Sequence, residues 1–269
     1  LQQAKERPEQ AYLKERDEDD QWLSINYSEL FRDSSAVAAW LLSQDIKNHR
    51  PVLILSGNSI HHAIIKYGAM AAQIPVCPVS SNYSLMGGDF GRLKHVIKIL
   101  NPAVIFAEQT SLYKAALISV DFLDAIIVTA DSGILNCKAV AIADILKTEI
   151  GKNVNHSIHT IDPDAPAVYM LTSGSTSLPK AVIHTQRMIT SNLAQARQVL
   201  GETAGWDGHM LDWLPWNHVS GAFTKMGVMV SGGTLHIDAG RPVPGEFETT
   251  VNNIKDVPVK FFTNVPAGY

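Results

Sequence analysis

Apolar and polar positions follow two alternating rhythms along this chain. Short apolar runs of strand length are interleaved with stretches whose apolar residues recur every three or four positions, the spacing of a helix packed on one face. Leu23 to Tyr27 alternates and predicts a short strand. Ser28 is placed to cap the next helix, with Glu29 favourable in its first turn. Leu30, Val37 and Leu41 share one face of that helix, with Phe31, Ala38 and Leu42 beside them. Val52–Leu55, Val76–Val79, Ala103–Ala107 and Ala125–Thr129 read as strands. Between them, His61–Ala72, the face Leu93, Val96, Ile97 and Leu100, and the region Leu112–Ile118 read as helices. Residues 1–20 are polar, with Lys14 to Asp20 all charged, and read as a solvated edge or hairpin.

Glu149–Pro166 is mostly polar and reads as a connection into a second sheet. Beyond it come strands at Ala167–Leu171 and Ala181–His184, and a helix at Gln186–Leu200 with Ile189, Leu193, Ala196 and Leu200 on its buried face. A strand at Met210–Leu214, a helix at Val219–Val230 and a strand at Thr234–Ile237 follow. A turn at Gly240–Pro244, a helix at Phe247–Ile254 and a strand at Phe261–Val265 complete the pattern. Strands alternating with helices predict an α/β fold with parallel, doubly wound sheets. The expectation is two consecutive sheet-and-helix subdomains, 1–160 and 161–269.

With 269 residues, 46% hydrophobic and 18% charged, the chain can bury a sizeable core. Its net charge of −4 supplies no basic field for nucleic acid. No apolar run approaches the ~20 residues that span a bilayer, and the polar N-terminus shows no signal peptide. Cys77 and Cys137 form no disulfide framework and read as reduced thiols of a cytoplasmic protein. The chain starts at Leu1, and a strand-like run leads straight into Pro266–Tyr269, so it reads as a piece of a longer chain.

Three segments carry candidate chemistry. The first is Thr172-Ser-Gly-Ser-Thr-Ser-Leu-Pro-Lys180, a loop between two strands that is rich in backbone N–H groups, hydroxyls and one cation. Such a loop can wrap a phosphate chain; a flexible Ser/Gly turn is the plain alternative. It is not a Walker A motif, because Lys180 lies between Pro179 and Ala181, and it opens no helix. The second is Ser56-Gly-Asn-Ser-Ile-His61, where a nucleophile elbow would sit, but His61 stands in place of the closing glycine. A simple strand-to-helix turn is the alternative. The third is Asp212-Trp-Leu-Pro-Trp-Asn-His218, at the end of a strand. Trp213 and Trp216 could wall an apolar or aromatic pocket that His218 gates, or could be core tryptophans beside a satisfied histidine. His61, His62, His95, His156 and His159 show no metal-ligand spacing.

The Thr172–Lys180 stretch resembles the phosphate-loop signature of the adenylate-forming superfamily, Thr-Ser-Gly-Ser/Thr-Thr-Gly-x-Pro-Lys-Gly. Leu214-Pro-Trp-Asn-His218 falls where those enzymes carry an aromatic-plus-His segment. Leu178–Met188 and Asp212–His218 are most similar to feruloyl-CoA synthase-like enzymes. The resemblance runs through nearly all of the chain and corresponds to about the first half of such an enzyme. It departs at Ser177 and Ala181, both glycine positions in the signature. Serine is costlier than glycine where the backbone must take a positive φ.

The resemblance implies an incomplete adenylate-forming N-terminal domain. The parent reaction activates a carboxylic acid, expected to be aromatic and hydroxycinnamate-like, as an acyl-adenylate, and then transfers it to coenzyme A. Thr172, Ser173, Gly174, Ser175 and Thr176 would wrap the β- and γ-phosphates of ATP, with Lys180 adding positive charge. Mg²⁺ would bridge the phosphates, with Thr176 as a contact. His218 would stand at the junction of acid pocket and thiol tunnel, beside Trp213 and Trp216. The family's adenine, ribose and late-lysine motifs lie beyond Tyr269, so the chain alone is expected not to turn over. A catalytically inactive remnant that keeps only the loop is the alternative. The implied partners are ATP, coenzyme A and a small carboxylic acid, with a homodimer left open.

Overall fold

The computed structural model of the chain describes residues 1–46, 50–86, 88–131, 139–172 and 178–266. Twelve strands are formed among them. They are β1 (Ala11–Arg16), β2 (Trp22–Asn26), β3 (Val52–Leu55), β4 (Val76–Pro78), β5 (Val104–Ala107), β6 (Ile126–Thr129), β7 (Ala139–Ala141), β8 (Pro166–Leu171), β9 (Ala181–Thr185), β10 (His209–Asp212), β11 (Thr234–Ile237) and β12 (Val259–Phe262). They build a five-stranded sheet, β12-β10-β11-β1-β2, and a seven-stranded sheet, β7-β6-β5-β3-β4-β8-β9. The fold class is therefore mixed α/β with largely parallel sheets, as the strand–helix alternation predicts.

Two compact units divide the chain. One comprises Leu1–Arg32, Asn58–Ile60 and Thr190–Tyr269; the other comprises Asp33–Gly57 and His61–Ile189. They are not the consecutive halves expected from the sequence, and residue 160 falls inside the second unit. Local periodicity shows that strands exist but not which strands they pair with. Thus β1 runs parallel to β11, with Leu13 opposite Leu235. The expected solvated edge at residues 1–20 is a hairpin, and one arm of it is internal to the five-stranded sheet, with Tyr12 and Leu13 fully buried. Likewise β8 joins β4 at Val76 and Val168, so the strands around the candidate phosphate loop belong to the seven-stranded sheet. The connection read over Glu149–Pro166 contains a helix, Lys152–His159.

In the seven-stranded sheet β4 and β5 flank β3, so the chain winds both ways from a central strand. Helix Gly91–Leu100 buries Leu93, Val96 and Ile97, and helix Thr110–Ser119 buries Tyr113 and Ala116. All five belong to one cluster with Leu53, Leu55, Ile105 and Ala107 of the strands. Helices Tyr27–Ser43 and Ile60–Ala71 approach closely at Gly68, where a Cβ would lie 2.6 Å from Val37 Cβ. The first of these helices begins two residues earlier than a cap at Ser28 would place it. Its cap is Asn26, whose Oδ1 accepts from Glu29 N at 2.8 Å, while the Glu29 carboxylate accepts from Asn26 N at 2.9 Å. That reciprocal pair is a capping box.

Cys77 is fully buried, and burial pushes its thiol well above the ordinary range. Cys137 lies outside the described residues. Among the described residues no helix is long and apolar enough to cross a membrane.

Candidate functional site

In the seven-stranded unit, β8 and β9 form an antiparallel pair whose last register is Leu171 with Ala181. The pairing continues one step further. Thr172 N donates to Lys180 O at 2.9 Å, and Lys180 N donates to the Thr172 hydroxyl at 3.3 Å. Thr172 and Lys180 therefore close the neck of the loop, and both are exposed. His95 Nε2 lies 3.1 Å from the Pro179 carbonyl and braces one side of the neck. Nothing in the spacing of the histidines singled out that contact. Ser173, Gly174, Ser175 and Thr176, together with Ser177, lie outside the described residues. The loop joins two strands rather than opening a helix, so an anion held there would depend on loop N–H groups, hydroxyls and Lys180.

Ser56 and Glu108 follow β3 and β5 at the carboxyl edge of the same sheet. Ser56 Oγ donates to Gly57 O at 2.6 Å and approaches Glu108 Oε2 at 3.3 Å, while His61 Nδ1 lies 2.9 Å from Glu108 Oε1. The carboxylate thus stands between serine and histidine. A serine nucleophile needs the imidazole as its neighbour, so the elbow reading gains no support here.

In the five-stranded unit, Asp212 ends β10 and starts the tryptophan–histidine segment. Its Oδ1 accepts from Leu214 N at 2.8 Å. Asn58 Nδ2 donates to Leu214 O at 3.0 Å, and Asn58 Oδ1 accepts from Trp216 N at 2.9 Å. His218 N donates to Pro215 O at 3.0 Å. Helix Val219–Ser231 then begins, capped by the His218 side chain, whose Nδ1 accepts from Ser220 N at 3.4 Å. That contact makes Nδ1 the acceptor and leaves Nε2 as the N–H of an exposed imidazole. Gly221 allows the first turn to sit against the segment, because a Cβ there would collide with Leu214 O and lie 2.7 Å from Pro215 O.

The two tryptophans differ. Trp216 is 1% exposed and lies beneath the buried Lys225, whose ammonium is 3.6 Å from the ring centroid. Its surroundings are those of a core residue. Trp213 is half-buried, and its indole N–H donates to Asn264 Oδ1 at 2.9 Å. Asp212 is buried, and burial pushes its carboxyl up to about 7; the Leu214 N–H opposes the shift and Asp238 adds to it. Asp238 is itself held by Thr250 Oγ1 at 2.7 Å, Asn253 Nδ2 at 3.0 Å and Gly240 N at 2.9 Å. Among the described residues no group of three His, Cys, Asp or Glu side chains is placed to hold a metal.

Comparison with known proteins places these features in a family. The AMP-binding enzyme profile matches residues 1–269. The inactive atromentin synthetase invA3 of Paxillus involutus is 32% identical over 106 residues, which is 38% of this chain and 11% of that protein. This chain therefore spans about a tenth of that relative's length. VinN in complex with 3-methylaspartate superposes with a TM-score of 0.75 at 18% identity, covering 99% of this chain and 64% of VinN. The o-succinylbenzoate CoA synthetase MenE of Bacillus subtilis, solved with its acyl-adenylate intermediate, gives a TM-score of 0.71 at 17% identity over 98% of this chain and 47% of MenE. MenE solved with ATP and magnesium superposes with a TM-score of 0.70 at 17% identity, covering 99% of this chain and 49% of MenE. At these identities the solved structures establish the fold, and the profile match establishes the family. The chain belongs to the AMP-binding enzymes of the adenylate-forming superfamily.

Proposed function

We propose that the chain is the first part of an ATP-dependent acid–thiol ligase of the feruloyl-CoA synthase-like kind, acting in the cytoplasm. In the first step a carboxylate oxygen attacks the α-phosphorus of ATP; the bond to the bridging oxygen breaks and pyrophosphate leaves. In the second step the sulfur of coenzyme A attacks the acyl carbon and AMP leaves. The observation that carries this reading is the Thr172–Lys180 neck: a hydroxyl-rich loop, closed by paired strands, with a cation at its end. Loop donors and an ammonium at this neck would stabilise charge on the outer phosphates of a triphosphate.

Thr172, Ser173, Gly174, Ser175 and Thr176 would wrap the β- and γ-phosphates, and Lys180 would offset their charge. Mg²⁺, when bound, would neutralise the phosphates further. By the superfamily resemblance, the Thr176 hydroxyl would be its protein contact. His218, with Nε2–H outward, would donate to the acid or to its acyl oxygen. Trp213 would border an aromatic acid, with Trp216 backing the segment from the core.

A second reading has specific support. The relative at 32% identity is itself named inactive, and Ser177 and Ala181 stand where the superfamily signature has glycines. On that reading the chain binds nucleotide without chemistry. ATP–pyrophosphate exchange with 4-hydroxycinnamate, measured beside ATP binding, tests both. We expect the 269-residue chain to bind ATP without exchange, and, where the gene continues past Tyr269 into the later motifs, the extended protein to exchange. Absence of ATP binding overturns both readings, and absence of exchange in the extended protein leaves the second.

A further inference from the structure

Asn58 is separated from the tryptophan–histidine segment by more than half the chain, yet it groups with that segment in one compact unit. Its side-chain amide makes two bonds to the segment. The N–H donates to Leu214 O at 3.0 Å and the oxygen accepts from Trp216 N at 2.9 Å. Pro215, between them, has no N–H to give. One planar group thus satisfies the carbonyl of one residue and the amide of the next but one, as a neighbouring strand would. Two other backbone groups of the bend are met elsewhere: Leu214 N by Asp212, and Pro215 O by His218 N. Leu214 and Trp216 are 6% and 1% exposed, so water does not readily replace a lost partner.

We propose that Asn58 is a positioning residue for the Trp213–His218 segment, fixing the path of the bend and thereby the acid selectivity of that segment. The selectivity half of the proposal rests on the reading that the segment borders the acid site; the positioning half does not. Residue type is decisive, because an amide of this length carries both a donor and an acceptor. Aspartate offers only acceptors, and its second oxygen would face the Leu214 carbonyl. Alanine offers neither. The Ser56–His61 stretch thus has a use unrelated to a nucleophile.

The test compares Asn58→Ala and Asn58→Asp with the unaltered chain. Three quantities are read: the near-ultraviolet circular dichroism of the tryptophans, the affinity for 4-hydroxycinnamate, and the affinity for ATP. We expect both variants to alter the tryptophan band and to weaken the acid by about tenfold, with ATP affinity unchanged. A side chain that merely supports folding would lower acid and ATP affinity together, and that result overturns the proposal, as does unchanged acid affinity. If the unaltered chain binds no 4-hydroxycinnamate, the acid-site reading fails on its own. Asn58 is then judged on the tryptophan band: a change in either variant keeps the positioning role, and no change removes it. If Asn58→Ala does not fold, Asn58→Asp carries the same comparison.

Discussion

Lys225 holds its ammonium 3.6 Å above the ring centroid of Trp216, and neither side chain is more than 1% exposed. A cation over an indole face in a site closed to water is stronger than the same contact at a surface. Tyr12 fixes the same stretch of helix by donating its hydroxyl to Lys225 O at 3.1 Å. The pair binds the tryptophan–histidine segment to helix Val219–Ser231. Trp216→Ala is therefore expected to lower unfolding free energy by about 3–5 kcal/mol, read by urea denaturation. Trp216→Phe keeps a ring face and should cost clearly less.

Asp212 and His236 are expected to tilt stability against pH in opposite directions. The carboxyl of Asp212 is pushed up to about 7 by burial, against about 3.9 in an unfolded chain. Between those values the folded state holds more protons than the unfolded state, so this group makes stability fall as pH rises. Asp212→Asn removes that slope. Relative to the unaltered chain it should gain stability between pH 4 and pH 8, on the order of 3 kcal/mol. Denaturant midpoints at the two pH values check it.

His236 lies end to end with His209, with Nε2 3.0 Å from His209 Nδ1. Burial first, then His209, Lys14 and Arg16, push its imidazole down to about 3, and Asp256 opposes them. An unfolded histidine titrates near 6.5. Between pH 3 and pH 6.5 the unfolded state holds the extra proton, so this group makes stability rise with pH. His236→Phe keeps a ring against Trp22, whose centroid is 4.9 Å away. Its stability should change less between pH 4.5 and pH 7 than that of the unaltered chain.

Gly221 and Leu214 touch backbone to backbone, with no flexible side chain to give way. Gly221→Ala is expected to destabilise by about 1–3 kcal/mol and to shift the tryptophan emission, because the bend under Trp213 and Trp216 must move. Thermal unfolding and emission spectra together distinguish this from a general loss of packing.

Much of the fold is legible in the pattern of the chain. The bounds of the helix over Gln186–Leu200 and of the strand over Thr234–Ile237 are read to the residue, but of the helix face expected to be buried, Ile189, Leu193, Ala196 and Leu200, only Leu193 is buried and Leu200 is exposed. Strand partners are not legible. The pairings of β1 with β11 and of β8 with β4 depend on which surfaces meet across long stretches of chain, and alternation within a strand carries no record of that. The charged run Lys14–Asp20 concealed a buried strand because Tyr12 and Leu13, just before it, are too few to register as a period.

The site divides in the same way. Thr172 and Lys180 stand out by residue type and are brought together at the neck of one loop. Trp213, Trp216 and His218 stand out as a cluster, yet their different burial could not be read from spacing. Asn58 and His95 are invisible in sequence, since each acts through a contact with distant backbone.

We propose that the Thr172–Lys180 loop holds the outer phosphates of ATP. Calorimetric titration of ATP and of AMP into the unaltered chain and into Lys180→Ala tests it most directly. An ammonium facing the β- and γ-phosphates makes charge-assisted contacts that AMP lacks. Lys180→Ala is expected to lose about tenfold or more in ATP affinity and little in AMP affinity. Equal losses for the two nucleotides, or none for ATP, would contradict it.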